Sequence, residues 1–430
     1  MIPEGSIKQW PIITEDDEKA VINALRSGAL WGRSTPEVKK LQKEWAKYVG
    51  VEHCVMTQSG TAALHMAIAA AGIGPGDEVI TSAFTYIATP ASVLHHNAIP
   101  VFVDINQFSF NIDINKIEEK ITKRTKAIIP VHMHGMPADM EEIQHIANKY
   151  DLKIIEDACQ AHGALYRGKK VGSLGDIGCF SLNGSKNLSA GGEGGLLVTD
   201  SDHLFNRAKA VGMFGEVDVG RQRIRNSDYL GWMYRSQELP ATIARCQLKR
   251  LDSYNAKREK NCEFLAKHLG EIPGIEIYEI PNDRKHVYFM FCLKFNPNEA
   301  GYDMSARHFR EAVEKALFYE GVMIGQAEKT PVMGHDVFQR KVGYGKGCPW
   351  SCSYYAEDII YNENDYPNAQ KFCDEHTLIW GYHPPNNIDL MTLYVDAFYK
   401  VFGQLDRAIQ CSKKQSTIPT YQCDLFGAVF

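Results

Sequence analysis

The chain has 430 residues, a formal net charge of -5, 44% hydrophobic residues and 23% charged residues. That length exceeds one ordinary core, so two domains are expected, with the composition of a globular enzyme. The weakly acidic balance argues against a nucleic-acid or polyanion partner, and no apolar stretch in the sequence is long enough to span a bilayer, so no membrane partner is expected.

Helix signals begin at residues 15–27, where Glu15-Asp-Asp-Glu18 suits the positive end of a helix dipole. Short apolar, β-branched runs follow at 54–57, 78–81, 101–104, 127–131, 153–156, 177–181 and 195–199. Both faces of these runs are apolar, as in strands covered by helices on each side. Helical patterns lie between most of them, for example 62–71 and 140–150. The pattern predicts an α/β domain over residues 1–255, with a mainly parallel sheet of about seven strands. A long amphipathic helix over 240–268 leads out of it. Strands at 275–280 and 287–293, a helix at 305–319 and a last helix at 389–409 then form a smaller α+β domain, residues 256–430. The Gly- and Pro-rich stretch 325–353 has little periodicity and reads as a long functional loop. The tail after Ser412 reads as extended or disordered.

The 11 cysteines are odd in number and scattered, which fits a reducing cytoplasm better than a disulfide framework. Cys348 and Cys352 lack two further ligands at zinc spacing, so no metal site is expected. Met1-Ile-Pro-Glu-Gly-Ser has no basic region followed by an apolar run, so no signal peptide is expected there.

Open α/β sheets bind ligands beyond the carboxyl ends of their strands, and several reactive groups fall at such ends. Lys186 follows a strand-like run, is hemmed in by small residues and precedes Gly191-Gly-Glu-Gly-Gly195. A lysine so placed can form a Schiff base, the linkage that carries pyridoxal phosphate. On this segment alone, a surface lysine before a glycine turn is the simpler reading. Ser59-Gly-Thr-Ala-Ala-Leu64 follows a strand and opens a helix, so its free amides and the Thr61 hydroxyl suit a phosphate; the same residues also make an ordinary helix cap. Asp157 ends a buried strand and needs a cationic or donor partner. A protonated pyridine nitrogen is one, and capping of the next helix is the other reading. Tyr86, at a strand end, can stack on a flat ring or belong to the core. Ser181 can turn its hydroxyl toward a phosphate. Walker A and G-x-G-x-x-G fingerprints are absent, which disfavours nucleotide folds of those kinds.

Together these segments resemble the DegT/DnrJ/StrS sugar aminotransferases. The matching blocks also include Gly28-Ala-Leu-Trp-Gly32, Val131-His-Met-His-Gly135, Glu156-Asp-Ala-Cys-Gln-Ala-His-Gly163, Phe180-Ser-Leu-Asn-Gly-Ser-Lys-Asn-Leu188, Tyr234-Arg-Ser-Gln-Glu-Leu239 and Gln247-Leu-Lys-Arg-Leu-Asp252. The resemblance implies an aspartate-aminotransferase-like fold, dependence on pyridoxal 5'-phosphate and a homodimer. It implies that Lys186 carries the cofactor and shuttles the proton. Asp157 would pair with the pyridine nitrogen, Gln160 contact the ring hydroxyl and Tyr86 stack on the ring, while Gly60, Thr61 and Ser181 would hold the phosphate. One departure is Met233 in Gly231-Trp-Met-Tyr-Arg235, where the family usually carries an asparagine that reaches the partner's phosphate site.

The implied activity is transfer of an amino group from glutamate or glutamine to the ketone of a sugar or cyclitol. Related dehydratases carry histidine at the lysine position, so Lys186 argues against dehydration. A catalytically silent regulator on this fold would not need the Lys186, Asp157 and Gln160 set. Specificity is expected in loops 31–35 and 325–353, with Arg33, Arg235 and Lys346 as candidate anion contacts or solvated surface charges. Trp10-Pro11 and Gly345-Lys-Gly-Cys-Pro-Trp350 resemble members acting on inososes, and residues 325–353 lack a tight cationic cluster for a nucleotide diphosphate. These features favour a free ketocyclitol or keto-sugar as acceptor.

Overall fold

The computed structural model describes residues 1–31, 35–216, 227–355 and 357–414. The strand-forming runs fold as β1 (His53–Thr57), β2 (Glu78–Ser82), β3 (Ile99–Val103), β4 (Thr125–Ile129), β5 (Lys153–Asp157), the two-residue β6 (Leu165–Tyr166) and β7 (Lys169–Lys170), β8 (Ile177–Ser181) and β9 (Gly195–Thr199). The main sheet has the order β1-β9-β8-β5-β4-β2-β3. Neighbours from β3 through β8 pair in parallel, and only β9 pairs antiparallel to both its neighbours. β2, β3, β8 and β9 are buried along their whole length, as their two apolar faces require.

Helices cover both faces. Gly60–Ala70 and Asp202–Val211 pack on one side, while Met140–Tyr150 packs on the other. Gly60–Ala70 starts at Ser59, whose hydroxyl accepts from the Ala62 amide at 3.0 Å. Alanine supplies helix propensity and lets the helix sit close to the sheet. Beyond the sheet, β10 (Ile275–Ile277), β12 (Phe291–Phe295), β14 (His376–Ile379) and β13 (Ile324–Gly325) form a second sheet in that order, while β11 (Arg284–Lys285) joins the β6–β7 hairpin. The fold is α/β with a mostly parallel central sheet.

Three differences from the sequence pattern have local causes. The helix expected over 240–268 is two helices, Glu238–Leu248 and Leu251–Leu269, separated where Arg250 turns back to pair with buried Asp17 at 2.8 Å. The strand expected over 287–293 is shifted to Phe291–Phe295. Residues before it bond elsewhere: the Val287 amide donates to the Gly135 carbonyl and the Met290 amide to the His134 carbonyl, both at 3.2 Å. The last helix breaks at Gly403 into Ile388–Phe402 and Leu405–Lys414. The amphipathic helix Pro36–Val49 lies in a stretch given no element from the sequence. Arg33 and most of the C-terminal tail lie outside the described residues.

Glu156 holds the carboxyl end of β5 in place. Its fully buried carboxylate accepts from the amides of Gly172 (2.7 Å), Leu174 and Gly175 (2.6 Å each) and from His132 Nε2 (2.9 Å). These bonds tie the turn before β8 and the loop after β4 to one carboxylate. Glu156→Ala leaves several buried donors without a partner, and we expect a loss of at least about 3 kcal/mol of stability. The check is the urea unfolding midpoint at unchanged slope. A loss below about 1 kcal/mol would mean that water replaces the carboxylate.

Candidate active site

Side chains alternate faces along a strand, so Asp157 points opposite to Glu156. It opens into a cavity of about 330 Å³ at the carboxyl ends of the parallel strands. Thr89 Oγ1 donates to Asp157 Oδ2 at 2.7 Å and the Cys159 amide to Oδ1 at 3.1 Å. Thr89 is in turn linked to Thr85 at 3.0 Å. The carboxylate is thereby oriented yet keeps acceptor capacity for a ligand.

Gln160 Oε1 accepts from the His134 amide at 2.7 Å, which leaves its amide nitrogen as the group available to the cavity. His134 has a φ of 56° and is held neutral, first by burial and then by the nearby His376, His286 and Lys186.

Gly60 opens helix Gly60–Ala70 at the cavity wall. A Cβ there would lie 2.8 Å from Ser181 Cβ and 2.9 Å from Cys159 Sγ, so glycine is required by close approach. The first amides of this helix, with the Thr61 and Ser181 hydroxyls beside them, make a donor set suited to a phosphate.

Lys186 sits on a braced backbone. Its amide donates to the Asn183 carbonyl at 2.9 Å, and its carbonyl accepts from Trp10 Nε1 at 3.0 Å. Trp10 lies 4.3 Å from the buried Arg258 guanidinium. Next door, Asn187 Nδ2 donates to the Val287 carbonyl at 2.8 Å. Lys186 Nζ rests 3.9 Å from the Phe289 ring centroid. Burial lowers its pKa, opposed by the nearby Cys159, Asp157, Glu328 and Glu193.

All seven residues singled out for cofactor contact, Gly60, Thr61, Tyr86, Asp157, Gln160, Ser181 and Lys186, line this one cavity. Tyr86 is 44% exposed and so is not core. Of residues 325–353, only Ala327 and Glu328 reach the cavity; Phe338 and Trp350 pack against the β3 side instead. Arg235 and Lys346 do not line it. Among the described residues no group of three His, Cys, Asp or Glu side chains is placed to hold a metal ion. No described helix is long and apolar enough to cross a membrane.

The sequence reasoning missed Thr89, His134, Phe289 and Glu328. Phe289 and Glu328 come from the C-terminal part of the chain, and only the fold brings them to the strand ends. Thr89 had a signal, since it closes the Phe84–Thr89 segment that also supplied Tyr86. Glu193 lay inside a quoted motif without a role; it accepts from Asn183 Nδ2 at 2.6 Å.

Burial pushes the Glu328 carboxyl up to about 7, while Lys186 pulls it down. The folded protein therefore holds this proton to a higher pH than the unfolded chain. The group's contribution to stability is present below about pH 4.5 and is lost as pH rises through about 7. Glu328→Gln carries no charge at any pH. Its melting temperature relative to the parent is expected to rise across that window. A difference that stays flat from acid to neutral pH would contradict the raised carboxyl.

A family model described as the DegT/DnrJ/EryC1/StrS aminotransferase family matches residues 11–379. The chain is 41% identical over 297 residues to the UDP-N-acetyl-3-dehydro-alpha-D-glucosamine 3-aminotransferase of Acidithiobacillus ferrooxidans, covering 69% of this chain and 75% of that one. It is 36% identical over 316 residues to a Streptoalloteichus tenebrarius protein provisionally named L-glutamine:3-amino-2,3-dideoxy-scyllo-inosose aminotransferase, covering 73% and 74%. Among solved structures, an aminotransferase from Psychrobacter cryohalolentis superposes with a TM-score of 0.83 at 27% identity, covering 93% of this chain and 100% of that one.

Proposed function

Because the chain belongs to the DegT/DnrJ/EryC1/StrS aminotransferase family, we propose that it moves an amino group from glutamate or glutamine to the ketone of a sugar or cyclitol ring, with pyridoxal 5'-phosphate held in the cavity. The observation that carries this reading is the convergence of a lysine, an oriented carboxylate and a helix N-terminus around one cavity. Those groups fit the cofactor's carbonyl carbon, protonated pyridine nitrogen and phosphate. The two named relatives also bracket the acceptor class, one named for a nucleotide-linked sugar and one for a cyclitol.

When bound, the cofactor supplies an electrophilic carbon and an electron-withdrawing ring. Lys186 Nζ would hold the cofactor through that carbon and would move the proton at the donor's α-carbon. Its lowered pKa raises the share of neutral amine. Asp157 would keep a proton on the pyridine nitrogen, with its carboxylate oriented by the hydrogen bond from Thr89. Gln160 would donate to the ring hydroxyl. Gly60, Thr61 and Ser181 would hold the phosphate, and Tyr86 would lie against the ring.

The proposed organisation is a cofactor-binding unit over 1–255 and a smaller unit over 256–430, in a homodimer. The dimer is supported by an apolar surface that includes Leu230 (82% exposed), Tyr229, Met233 and Phe214. It is supported also by the charges of the cavity. Asp157, Lys186, Glu193 and Glu328 are the charged residues among those described that line it, so the lining offers the donor's carboxylates no cation besides Lys186. A partner subunit supplies one in this reading. The cytoplasm is the proposed compartment, since all ten cysteines among the described residues are free.

Lys186→Ala is expected to abolish turnover. Asp157→Asn is expected to keep the fold but slow the donor half-reaction by several orders of magnitude, because a neutral partner no longer holds the ring nitrogen protonated. The checks are single-turnover kinetics with glutamate and glutamine, and borohydride trapping followed by peptide mapping of the modified lysine. Trapping at a lysine other than Lys186 would overturn the assignment.

Light scattering of the purified protein should return twice the chain mass. A monomer with full activity would refute the shared site.

A further inference from the structure

Glu328 is one of the cavity groups that the proposed cofactor contacts leave unused. Its loop is pinned on both sides. Before it, Gln326 Nε2 donates to the carbonyls of Cys373 at 2.7 Å and His376 at 2.9 Å. After it, the Val332 amide donates to the Ala83 carbonyl at the end of β2, at 2.9 Å. Ala327 and Glu328 are thereby presented at the cavity as a fixed wall.

The Glu328 side chain is only partly exposed. No hydrogen bond or ion pair from a described residue satisfies it. Its electrostatic neighbours are Lys186, Tyr86 and Cys373. Lys186 is the one cation among them, and in the reading above its amine is committed to the cofactor. A carboxyl that loses its cation in a partly dry cavity needs donors from elsewhere. A substrate entering the cavity is such a source.

The cavity's other carboxylate outside the cofactor set, Glu193, also acts on Tyr86 and Lys186. This side of the cavity thus offers acceptors and negative charge. A ring bearing a carboxylate or phosphate against it would meet repulsion. A ring bearing hydroxyls would supply the missing donors.

Resting on the transamination reading, we propose that Glu328 is a specificity-determining residue that accepts a hydrogen bond from a ring hydroxyl of the acceptor. The part of the acceptor entering this wall is then an uncharged, polyhydroxylated ring ketone, whatever group the ring carries at its far end. A site built to pair a hydroxyl discriminates strongly against the analogue that lacks it, because its own polar group is left unpaired.

The test pairs ring positions with the side chain. Holoenzyme and its Glu328→Ala and Glu328→Gln variants are supplied with scyllo-inosose and with each single-deoxy analogue, and kcat/KM is measured for each. One deoxy analogue should lose about tenfold or more against scyllo-inosose in the parent. That loss should shrink to about twofold in Glu328→Ala and be partly restored in Glu328→Gln, which keeps a carbonyl acceptor. A second readout needs no turnover: calorimetric binding of myo-inositol, which has no ketone, to the pyridoxal-loaded protein. Its Kd should rise about tenfold in Glu328→Ala. Equal losses with every analogue, or unchanged myo-inositol binding, would overturn the role of Glu328 and leave transamination standing. A parent enzyme that takes an amino group from glutamine or glutamate yet is inert toward every sugar or cyclitol ketone would overturn the acceptor reading, and this inference with it.

Discussion

The whole site depends on the end of β5, where two carboxylates follow one another on opposite faces. Glu156 is spent entirely on structure. It collects three backbone amides and a histidine, and so fixes the loops that flank the cavity. Asp157 is then presented on a strand end that cannot move without breaking that network. A catalytic carboxylate on a free loop would relax toward its nearest donor. Here Thr89 and the Cys159 amide orient it from one side and leave it open on the other.

Lys186 is held by a different logic. It lies on a turn, so its precision comes from outside the main sheet. The indole of Trp10, near the N-terminus, bonds its carbonyl, and Arg258 of the long helix stacks beneath that indole. Arg258 is itself fixed by Asn255 at 2.9 Å and His383 at 2.7 Å. Segments far apart in sequence therefore converge on one backbone carbonyl. Trp10 thereby helps to fix the backbone of Lys186.

The sheet was legible in the sequence because its strands are apolar on both faces, and that signal survives without tertiary information. The residues of the candidate site on those strand ends were legible for the same reason: Asp157, Ser181 and the Ser59–Thr61 turn each follow a recognisable strand. The wall formed by Phe289, Met290, Ala327 and Glu328 was not. These residues sit in stretches whose backbone pairs with loops, as Met290 does with His134, and such pairing leaves no periodic trace. The 325–353 segment reads as a loop by composition, yet it is anchored to the core at residues 331–333, at Phe338 and at Trp350. Trp350 Nε1 reaches the Tyr361 hydroxyl at 3.1 Å, and that hydroxyl reaches the Pro100 carbonyl at 2.9 Å. Its aromatics fill a groove beside β3 that only the folded sheet creates.

The balance of charge around Lys186 decides what its amine can do. Asp157, Glu193 and Glu328 all favour the ammonium form, and Coulomb attraction alone would keep it protonated and unreactive. Burial opposes them and wins, so the pKa falls below the ordinary lysine value. The same low-dielectric surroundings raise Glu328 toward neutrality, which removes part of the negative charge that would otherwise hold the lysine protonated. The two shifts reinforce each other. A cavity more open to water would strengthen neither, and it would leave a charged lysine facing charged carboxylates. Closure by the Phe289 and Glu328 wall therefore helps to lower the pKa of the Lys186 amine.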